Sequence, residues 1–323
     1  MAAPSVRGVG APAPPARHER AGASVTERPV RMRAPGEPRR VAYLYLAPAF
    51  VFYLLFAFGP LVYTTWLSFF DWDGLTVGEW VGLENYDKLL SDPDLRESFV
   101  HAFELIVFYA ILPVVLGLVL ASVIAHSRVR GVTFFRAALF LPQTIATVVV
   151  AIAWVWIYAP KGPLNEALTA VGLGGLTRGW LGDFTYALPA LGLVGTWVMF
   201  GLCLVMFLAG IQKVPYSLYE AARVDGAGRV REFFAVTLPG VRGELAVALT
   251  ITTIMALRTF DLIYVSTAGG PGTSTTVPSV LVYQEAFVNG RVGLAASVAV
   301  VLTALIFVIA FAITRLVDRD PSR

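Results

Sequence analysis

Six long apolar stretches run through the chain, and a polar segment separates each one from the next. A helix that crosses the hydrocarbon core of a bilayer needs about 20 predominantly apolar residues, and every stretch is long enough. The predicted membrane-spanning helices are residues 41–69, 103–125, 137–158, 187–211, 245–267 and 292–316. The pattern therefore predicts an all-α, polytopic membrane protein, with six transmembrane helices in one domain over residues 41–317.

Composition supports the membrane prediction and narrows the chemistry. The 323 residues are 57% hydrophobic and 15% charged, whereas soluble domains are roughly 45–50% apolar and about 25% charged. Cys203 is the single cysteine, which excludes an internal disulfide framework and a metal site built from cysteines. No acidic cluster indicates a metal centre, and no histidine lies beside a serine within a span. We therefore expect neither an enzyme nor a metalloprotein.

Basic residues are distributed unevenly between the two sides of the predicted bundle. Residues 1–40, 127–136, 212–244 and the C-terminal end together carry 19 Lys and Arg residues, and the segments on the opposite side carry 5. Since basic residues accumulate in cytoplasmic loops, we expect both termini and residues 212–244 to be cytoplasmic. Residues 1–40 are rich in Arg and Pro with scattered apolar positions, which predicts a disordered tail. Residues 318–323 form a short C-terminal tail.

The polar gap at residues 212–244 contains the sequence EAARVDGAGRVREFFAVTLP. Residues 216–224 hold no helix breaker and predict a short helix, which Pro215 can open. The next four residues, Asp225-Gly226-Ala227-Gly228, predict a turn, because glycine readily adopts a positive φ.

A second short helix is predicted over residues 229–238, and Pro239 limits how far it can continue. Helical spacing places four apolar side chains on one face of this helix. They are Val230, Phe233, Phe234 and Leu238.

This stretch resembles the EAA loop of ABC importer permeases. The matching positions are Glu220, Ala221, Ala222, Asp225, Gly226, Ala227, Leu238 and Pro239. Together with the spans around it, the chain from about residue 41 to about residue 317 resembles the MalF/UgpA-like carbohydrate permeases. The family often has a second proline four residues after the first, and Gly243 occupies that position here. We refer to residues 212–244 as the EAA loop.

The resemblance implies the type I ABC importer permease fold in a bacterial cytoplasmic membrane. A second homologous permease and two ABC ATPase subunits are the implied partners, with the ATPases docking on the EAA loop. An extracytoplasmic solute-binding protein would deliver a mono- or oligosaccharide, which crosses by alternating access. The chain has no Gly-x-x-x-x-Gly-Lys loop, so ATP and Mg²⁺ are expected on the partner ATPase. Membrane lipid surrounds the spans, and nucleic acid is not an expected partner.

Candidate pathway residues lie on the predicted fourth and fifth spans, the helices that line the pathway in the resembled family. They are Trp197, Met199, Leu202, Thr252, Met255, Ala256 and Thr259. Small and polar side chains at these positions also serve helix packing. Trp154 and Trp156, near one end of the third span, are typical of an interfacial aromatic belt.

Arg258 and Asp261 are charged residues within the fifth span, and such residues are functional candidates. Their spacing of three residues lets them meet on one helix face. They are therefore either a local ion pair that neutralises two charges or a gate contact near the outer mouth.

Three alternatives stay open from the residues. The EAA loop can instead be an amphipathic segment that rests on lipid headgroups. The substrate of the same architecture can be glycerol-3-phosphate or a polyol. An ion-gradient-driven secondary transporter is a third possibility, although it would need more acidic groups within the spans.

Overall fold

A computed structural model describes residues 39–125 and 131–317. The predicted tails at 1–40 and 318–323 lie outside the described residues, except that Arg39 and Arg40 already belong to the first helix. The described residues fall into two compact units, one that ends at Leu54 and one that begins at Leu55. In the first unit, the described residues form α1 (Arg39–Tyr53), which contains Pro48.

Five helices in the described chain are long and apolar enough to cross a membrane, and a bent pair of helices adds a sixth candidate. The five are Tyr43–Leu67, Pro93–Ala125, Ala187–Ile211, Arg242–Thr267 and Val292–Leu316. The fourth and sixth predicted spans are confirmed at both boundaries. The second and fifth helices begin earlier than predicted, at Pro93 and Arg242. Their first turns are polar, so the apolar pattern did not include them.

A small polar segment follows the first span. Helix α2 (Gly59–Leu67) is the last part of the first span, and the segment after it contains β1 (Phe70–Asp71), β2 (Glu79–Trp80) and α3 (Glu84–Ser91). The two strands pair antiparallel with Phe70 opposite Trp80. Helix α3 turns Asn85 and Leu89 inward. The Asn85 amide donates hydrogen bonds to the carbonyls of Ser68 (3.0 Å) and Phe70 (2.9 Å), which ties α3 to the strand.

The second span consists of α4 (Pro93–Ile106), a π-helical segment (Val107–Ile111) and α5 (Leu112–Ala125). The Asp92 carboxylate accepts a hydrogen bond from the Asp94 amide at 2.9 Å, and Pro93 occupies a position where a missing N–H is harmless. Pro113 cannot donate to the carbonyl four residues back, which favours the wider π turn before it.

The third span is not the single helix that we predicted over residues 137–158. Helix α6 (Val132–Thr144) and helix α7 (Thr147–Ile157) meet at a bend of 97°. Ile145 and Ala146 adopt extended backbone between them, with ψ of 136° and 132°. Pro142 removes one hydrogen bond from the last turn of α6 and so weakens the helix just before the break.

Helix α9 (Ala187–Ile211) is the central helix of the described bundle. A compact segment precedes it, formed by α8 (Pro163–Ala170) and two 3₁₀ turns (Gly174–Leu176 and Trp180–Gly182). One buried cluster surrounds the first half of α9 and includes Tyr109, Val194 and Met199. A second surrounds its last turns and includes Cys203 and Phe207.

The remaining elements follow α9. They are α10 (Tyr216–Val224), α11 (Arg229–Glu232), a π-helical segment (Phe233–Thr237), α12 (Leu238–Gly240), α13 (Arg242–Leu257), α14 (Asp261–Thr267), α15 (Pro278–Tyr283), a further π-helical segment (Gln284–Val288) and α16 (Val292–Val317). The salt bridge from Lys213 Nζ to Glu244 Oε1, at 2.8 Å, joins the two ends of the EAA loop.

Candidate functional site

The first half of the EAA loop forms the predicted helix with its predicted ends. Helix α10 spans Tyr216–Val224, and Pro215 is its N-cap residue rather than its first helical residue. Tyr219 points inward and is 2% exposed, whereas Glu220 is exposed to solvent. Glu220 has no ion pair or hydrogen bond in the part of the chain that the structure describes. Helix α10 therefore presents an exposed carboxylate that pairs with no other described residue.

Gly226 ends α10 in a Schellman motif. The Ala227 amide donates to the Ala222 carbonyl at 2.9 Å, and the Gly226 amide donates to the Arg223 carbonyl at 3.0 Å. This pair of hydrogen bonds requires a left-handed residue after the cap, and Gly226 has φ +76°. The predicted positive φ in the turn is confirmed at Gly226.

The second half of the loop differs from the single helix that we predicted. Residues 229–240 form α11, a π-helical segment and α12 in succession. Pro239 has no N–H to donate to Ala235 and its ring crowds that carbonyl, which favours the wider turn before it. Gly243 lies inside α13, which begins at Arg242, so the last three residues of the EAA loop already belong to that helix.

The predicted single apolar face is also wrong. Phe233 and Leu238 pack against the buried cluster at the end of α9. Val230 and Phe234 point away from it and are 73% and 61% exposed. The π turn advances the chain differently from an α turn, so helical spacing could not place all four side chains. Two of them anchor the loop to the bundle, and two remain on its surface.

An ion pair joins the two halves of the loop. Arg223 on α10 donates from Nε to Glu232 Oε2 at 3.0 Å and from Nη2 to Glu232 Oε1 at 3.1 Å. Its third nitrogen, Nη1, donates to the Tyr216 hydroxyl at 3.1 Å. The hydrogen bonds to Glu232 raise the pKa of the Arg223 guanidinium above its ordinary value.

Sequence reasoning missed this pair. Arg223 and Glu232 are nine positions apart across a glycine turn, and the periodicity within either predicted helix assigns neither of them a partner. Two features of the sequence could have indicated the pair. An Arg, which can donate two parallel hydrogen bonds to one carboxylate, lies at the end of one predicted helix, and a single acidic residue lies near the start of the next.

A cavity of about 710 Å³ opens between the end of α5 and the EAA loop. Val119 and Val123 of α5 line one side, and Val230 and Phe234 line the other. Arg229 adds a cation to the wall. The exposed half of the predicted apolar face therefore borders a recess rather than a flat surface.

The pathway candidates divide into buried and exposed residues. Met199, Thr252, Ala256 and Thr259 are buried inside this chain, and the Thr252 hydroxyl donates to the Ala248 carbonyl at 2.7 Å. Trp197 and Met255 are 41% and 39% exposed, and Leu202 is half-buried. The buried group packs the bundle, so only the exposed group can meet a solute without rearrangement.

Trp154 is half-buried and lies next to Trp197. Its ring lies edge to face with Trp197, with centroids 5.6 Å apart, and it also contacts Tyr158 at 5.0 Å. The predicted belt role fits Trp156, which is 67% exposed, but Trp154 packs between helices instead.

Arg258 and Asp261 do not share a helix face, which corrects the predicted geometry. Helix α13 ends at Leu257 and α14 begins at Asp261, so the intervening residues are not helical. Both charged side chains are exposed, and no ion pair joins them in the part of the chain that the structure describes. The Ser279 hydroxyl donates to the Thr259 carbonyl inside this break. Two exposed charged side chains therefore flank a non-helical stretch in which the Thr259 carbonyl has a hydrogen-bond partner.

Comparison with known proteins agrees with this architecture. Residues 113–323 match the family described as binding-protein-dependent transport system inner membrane component. The chain is 38% identical over 269 residues to the probable ABC transporter permease protein YurN of Bacillus subtilis (strain 168). The aligned region covers 81% of this chain and 90% of that relative. It is 34% identical over 249 residues to the trehalose/maltose transport system permease protein MalF of Thermococcus litoralis, covering 76% and 82% respectively.

A solved structure has the same fold. The bacterial ABC transporter involved in the import of the acidic polysaccharide alginate matches with a TM-score of 0.74 and 22% identity, over 88% of this chain and 96% of that one. The chain belongs to the family of inner membrane components of binding-protein-dependent transport systems. It is thus a multi-pass permease of the cytoplasmic membrane with the type I importer fold, and the predicted family and fold class are confirmed.

Proposed function

We propose that this chain is the permease subunit of an ATP-driven importer that takes up a sugar through a cavity shared with a second permease. The observation that carries the proposal is the EAA loop, whose helix α10 presents an exposed Glu220, unpaired among the described residues, beside exposed Leu218 and Tyr216. A short amphipathic helix of this kind fits a groove on a soluble partner. ATPase subunits that bind ATP and Mg²⁺ are that partner.

The orientation follows from the charge distribution. The excess of Lys and Arg on the side of residues 212–244 supports a cytoplasmic position for the EAA loop and both termini. The opposite face, which includes α3 and α8, then meets an extracytoplasmic binding protein that delivers the solute. ATP binding shifts the permease between inward-open and outward-open states only if the loop binds the two ATPase states differently.

A carbohydrate substrate is supported by the relatives and by aromatic side chains in the spans. Relatives of this chain include permeases named for trehalose/maltose and for diacetylchitobiose uptake. Trp197 is exposed and supported by Trp154, and a sugar ring packs well on a flat indole face. We assign Trp197, Leu202 and Met255 to the wall of the pathway, with Arg258 and Asp261 at the helix break as gate residues.

The test is uptake by the reconstituted complex of both permeases, the ATPase and the binding protein. We expect sugar uptake to require ATP and to be lost in Glu220→Lys and Gly226→Trp, with the spans still inserted. Normal uptake in both variants would refute docking through the EAA loop. Uptake by this chain alone without nucleotide would indicate a secondary transporter instead, and competition by glycerol-3-phosphate but not by sugars would reassign the substrate.

A further inference from the structure

The turn between α10 and α11 does not itself fix the angle between the two helices. The Schellman hydrogen bonds end α10 but extend no further than Ala227. A side chain added at Gly226 or Gly228 would meet nothing within 4 Å. The turn is therefore unpacked on its outer side, and the orientation of α11 relative to α10 depends on contacts between their side chains.

The Arg223–Glu232 pair is a contact of that kind. Its two parallel hydrogen bonds, at 3.0 Å and 3.1 Å, hold both the distance and the rotation between the groups. The same guanidinium reaches the Tyr216 hydroxyl at the other end of α10, so it also spans the length of that helix. One side chain thus links the first turn of α10, the last turn of α10 and the end of α11.

The burial of the two partners makes the contact costly to break. The Glu232 side chain is 9% exposed and the Arg223 side chain is 44% exposed. Losing a hydrogen-bonded cation costs a mostly buried carboxylate more than losing a carboxylate costs a half-exposed guanidinium, which water solvates. The pair therefore stabilises the Glu232 carboxylate more than the Arg223 guanidinium. This interaction holds α11 against α10.

The second half of the loop is in turn fixed to the bundle. Phe233 and Leu238 pack on the cluster at the end of α9, and Thr237 is buried within 3.3 Å of the Tyr219 hydroxyl. A displacement of α10 therefore reaches the spans through contacts with the second half of the loop, which include the Arg223–Glu232 pair at its start and the Tyr219–Thr237 hydroxyl contact further along.

We infer that the Arg223–Glu232 pair is the positioning contact that makes the two halves of the EAA loop act as one rigid lever between the ATPase and the spans. This inference rests on the proposed function. Neither residue is required to touch the ATPase or the sugar in this role. Losing the pair therefore lets the two halves of the loop move independently, while the surface that docks on the ATPase remains.

The first test is the Glu232→Gln variant, which keeps the shape of the side chain and removes its charge. In the reconstituted complex, we expect the ATP hydrolysed per sugar transported to rise at least about fivefold, the lower end of typical coupling effects. The matched control is Glu285→Gln, because Glu285 is equally buried and is held by Arg291, far along the chain from the EAA loop. Its ratio should stay at the wild-type value even if its yield falls.

The second test measures the lever directly. In a Cys203→Ala background, spin labels at Ser217→Cys and Arg231→Cys report the distance between α10 and α11 within the full complex. We expect a narrow distance distribution with Glu232 and a broad one with Gln at this position, while the ATPase still co-purifies.

The outcomes separate the inference from the proposed function. An unchanged ratio in Glu232→Gln, with a wild-type complex that couples normally, overturns the inference alone, whatever the distance distribution. A narrow distribution in the variant also overturns it. A wild-type complex that shows no ATP-dependent uptake overturns the proposed function, and the inference falls with it.

Discussion

Trp154 and Trp197 pack edge to face with their ring centroids 5.6 Å apart, although they lie on different helices. Trp197 is 41% exposed, so its second face is open while Trp154 fixes its rotamer. A ring held in this way loses little side-chain entropy when a ligand stacks on it. The pair is a preorganised apolar wall in the proposed sugar pathway.

We predict that Trp197→Ala weakens sugar transport at the step of solute passage. Loss of one aromatic contact removes about 1 kcal/mol, so the KM of uptake should rise about fivefold, while the ATPase still assembles with the complex. Trp156→Ala is the control, because Trp156 is exposed on the same helix as Trp154 and has no aromatic partner among the described residues. Equal KM values for the two variants would remove Trp197 from the pathway.

The Schellman motif at the end of α10 gives a second prediction. Gly226→Ala forces a non-glycine residue to φ +76°, which costs about 1 kcal/mol. Hydrogen exchange at the Ala227 amide should accelerate about fivefold, because local opening becomes easier by that amount. Gly228→Ala is the comparison: its φ is −73° and its surroundings are open. A similar acceleration in both variants would argue against the left-handed requirement at residue 226.

Much of the fold follows from sequence because apolar length decides it. The boundaries at Ala187–Ile211 and Val292–Leu316 coincide with their apolar stretches, since lipid leaves the backbone no alternative to a continuous helix there. Helix α10 could also be predicted from the sequence, because Pro215 and Gly226 mark its two ends. These are local signals, and tertiary packing does not override them.

The missed features depend on groups that are far apart in sequence or on breaks that packing permits. Extended Ile145 and Ala146 interrupt an apolar run that has the composition of one span. The helix break before Asp261 is stabilised in part by Ser279, which lies outside the predicted span. Likewise, the role of Glu232 appears only when Arg223 is brought across the turn. Periodicity within one segment carries no information about such partners.

A third prediction concerns the turn between β1 and β2. The Asp73 carboxylate accepts hydrogen bonds from the amides of Leu75 (2.9 Å) and Thr76 (2.7 Å), and from the Thr76 hydroxyl (2.9 Å). The backbone hydrogen bond from Thr76, the largest contribution, holds the pKa of Asp73 below its ordinary value. The contribution of this carboxylate to the turn is therefore complete at neutral pH and disappears as the pH falls through the lowered pKa.

The measurement is hydrogen exchange at the Thr76 amide, corrected for the intrinsic pH dependence of exchange. Protection should be constant from neutral pH down to about pH 4 and should then fall in the wild-type protein. Asp73→Asn should show less protection at neutral pH and no further loss on acidification. An acid-induced loss in that variant as large as in the wild type would assign the effect to another group.

The fourth prediction tests how closely α6 approaches α9. A Cβ at Gly201 would lie 1.9 Å from the Leu139 carbonyl oxygen, and backbone cannot yield as a flexible side chain can. Gly201→Ala should therefore destabilise the folded protein by about 2 kcal/mol or more and lower its Tm by roughly 5 °C. Gly243→Ala is the matched control in α13, because a Cβ there meets nothing within 4 Å. It should leave the Tm unchanged or raise it slightly, since alanine is the better helix former. If Gly201→Ala matched that control, the packing of α6 against α9 would have to differ from the arrangement described above. Close contact between these helices would then no longer explain why glycine occupies position 201.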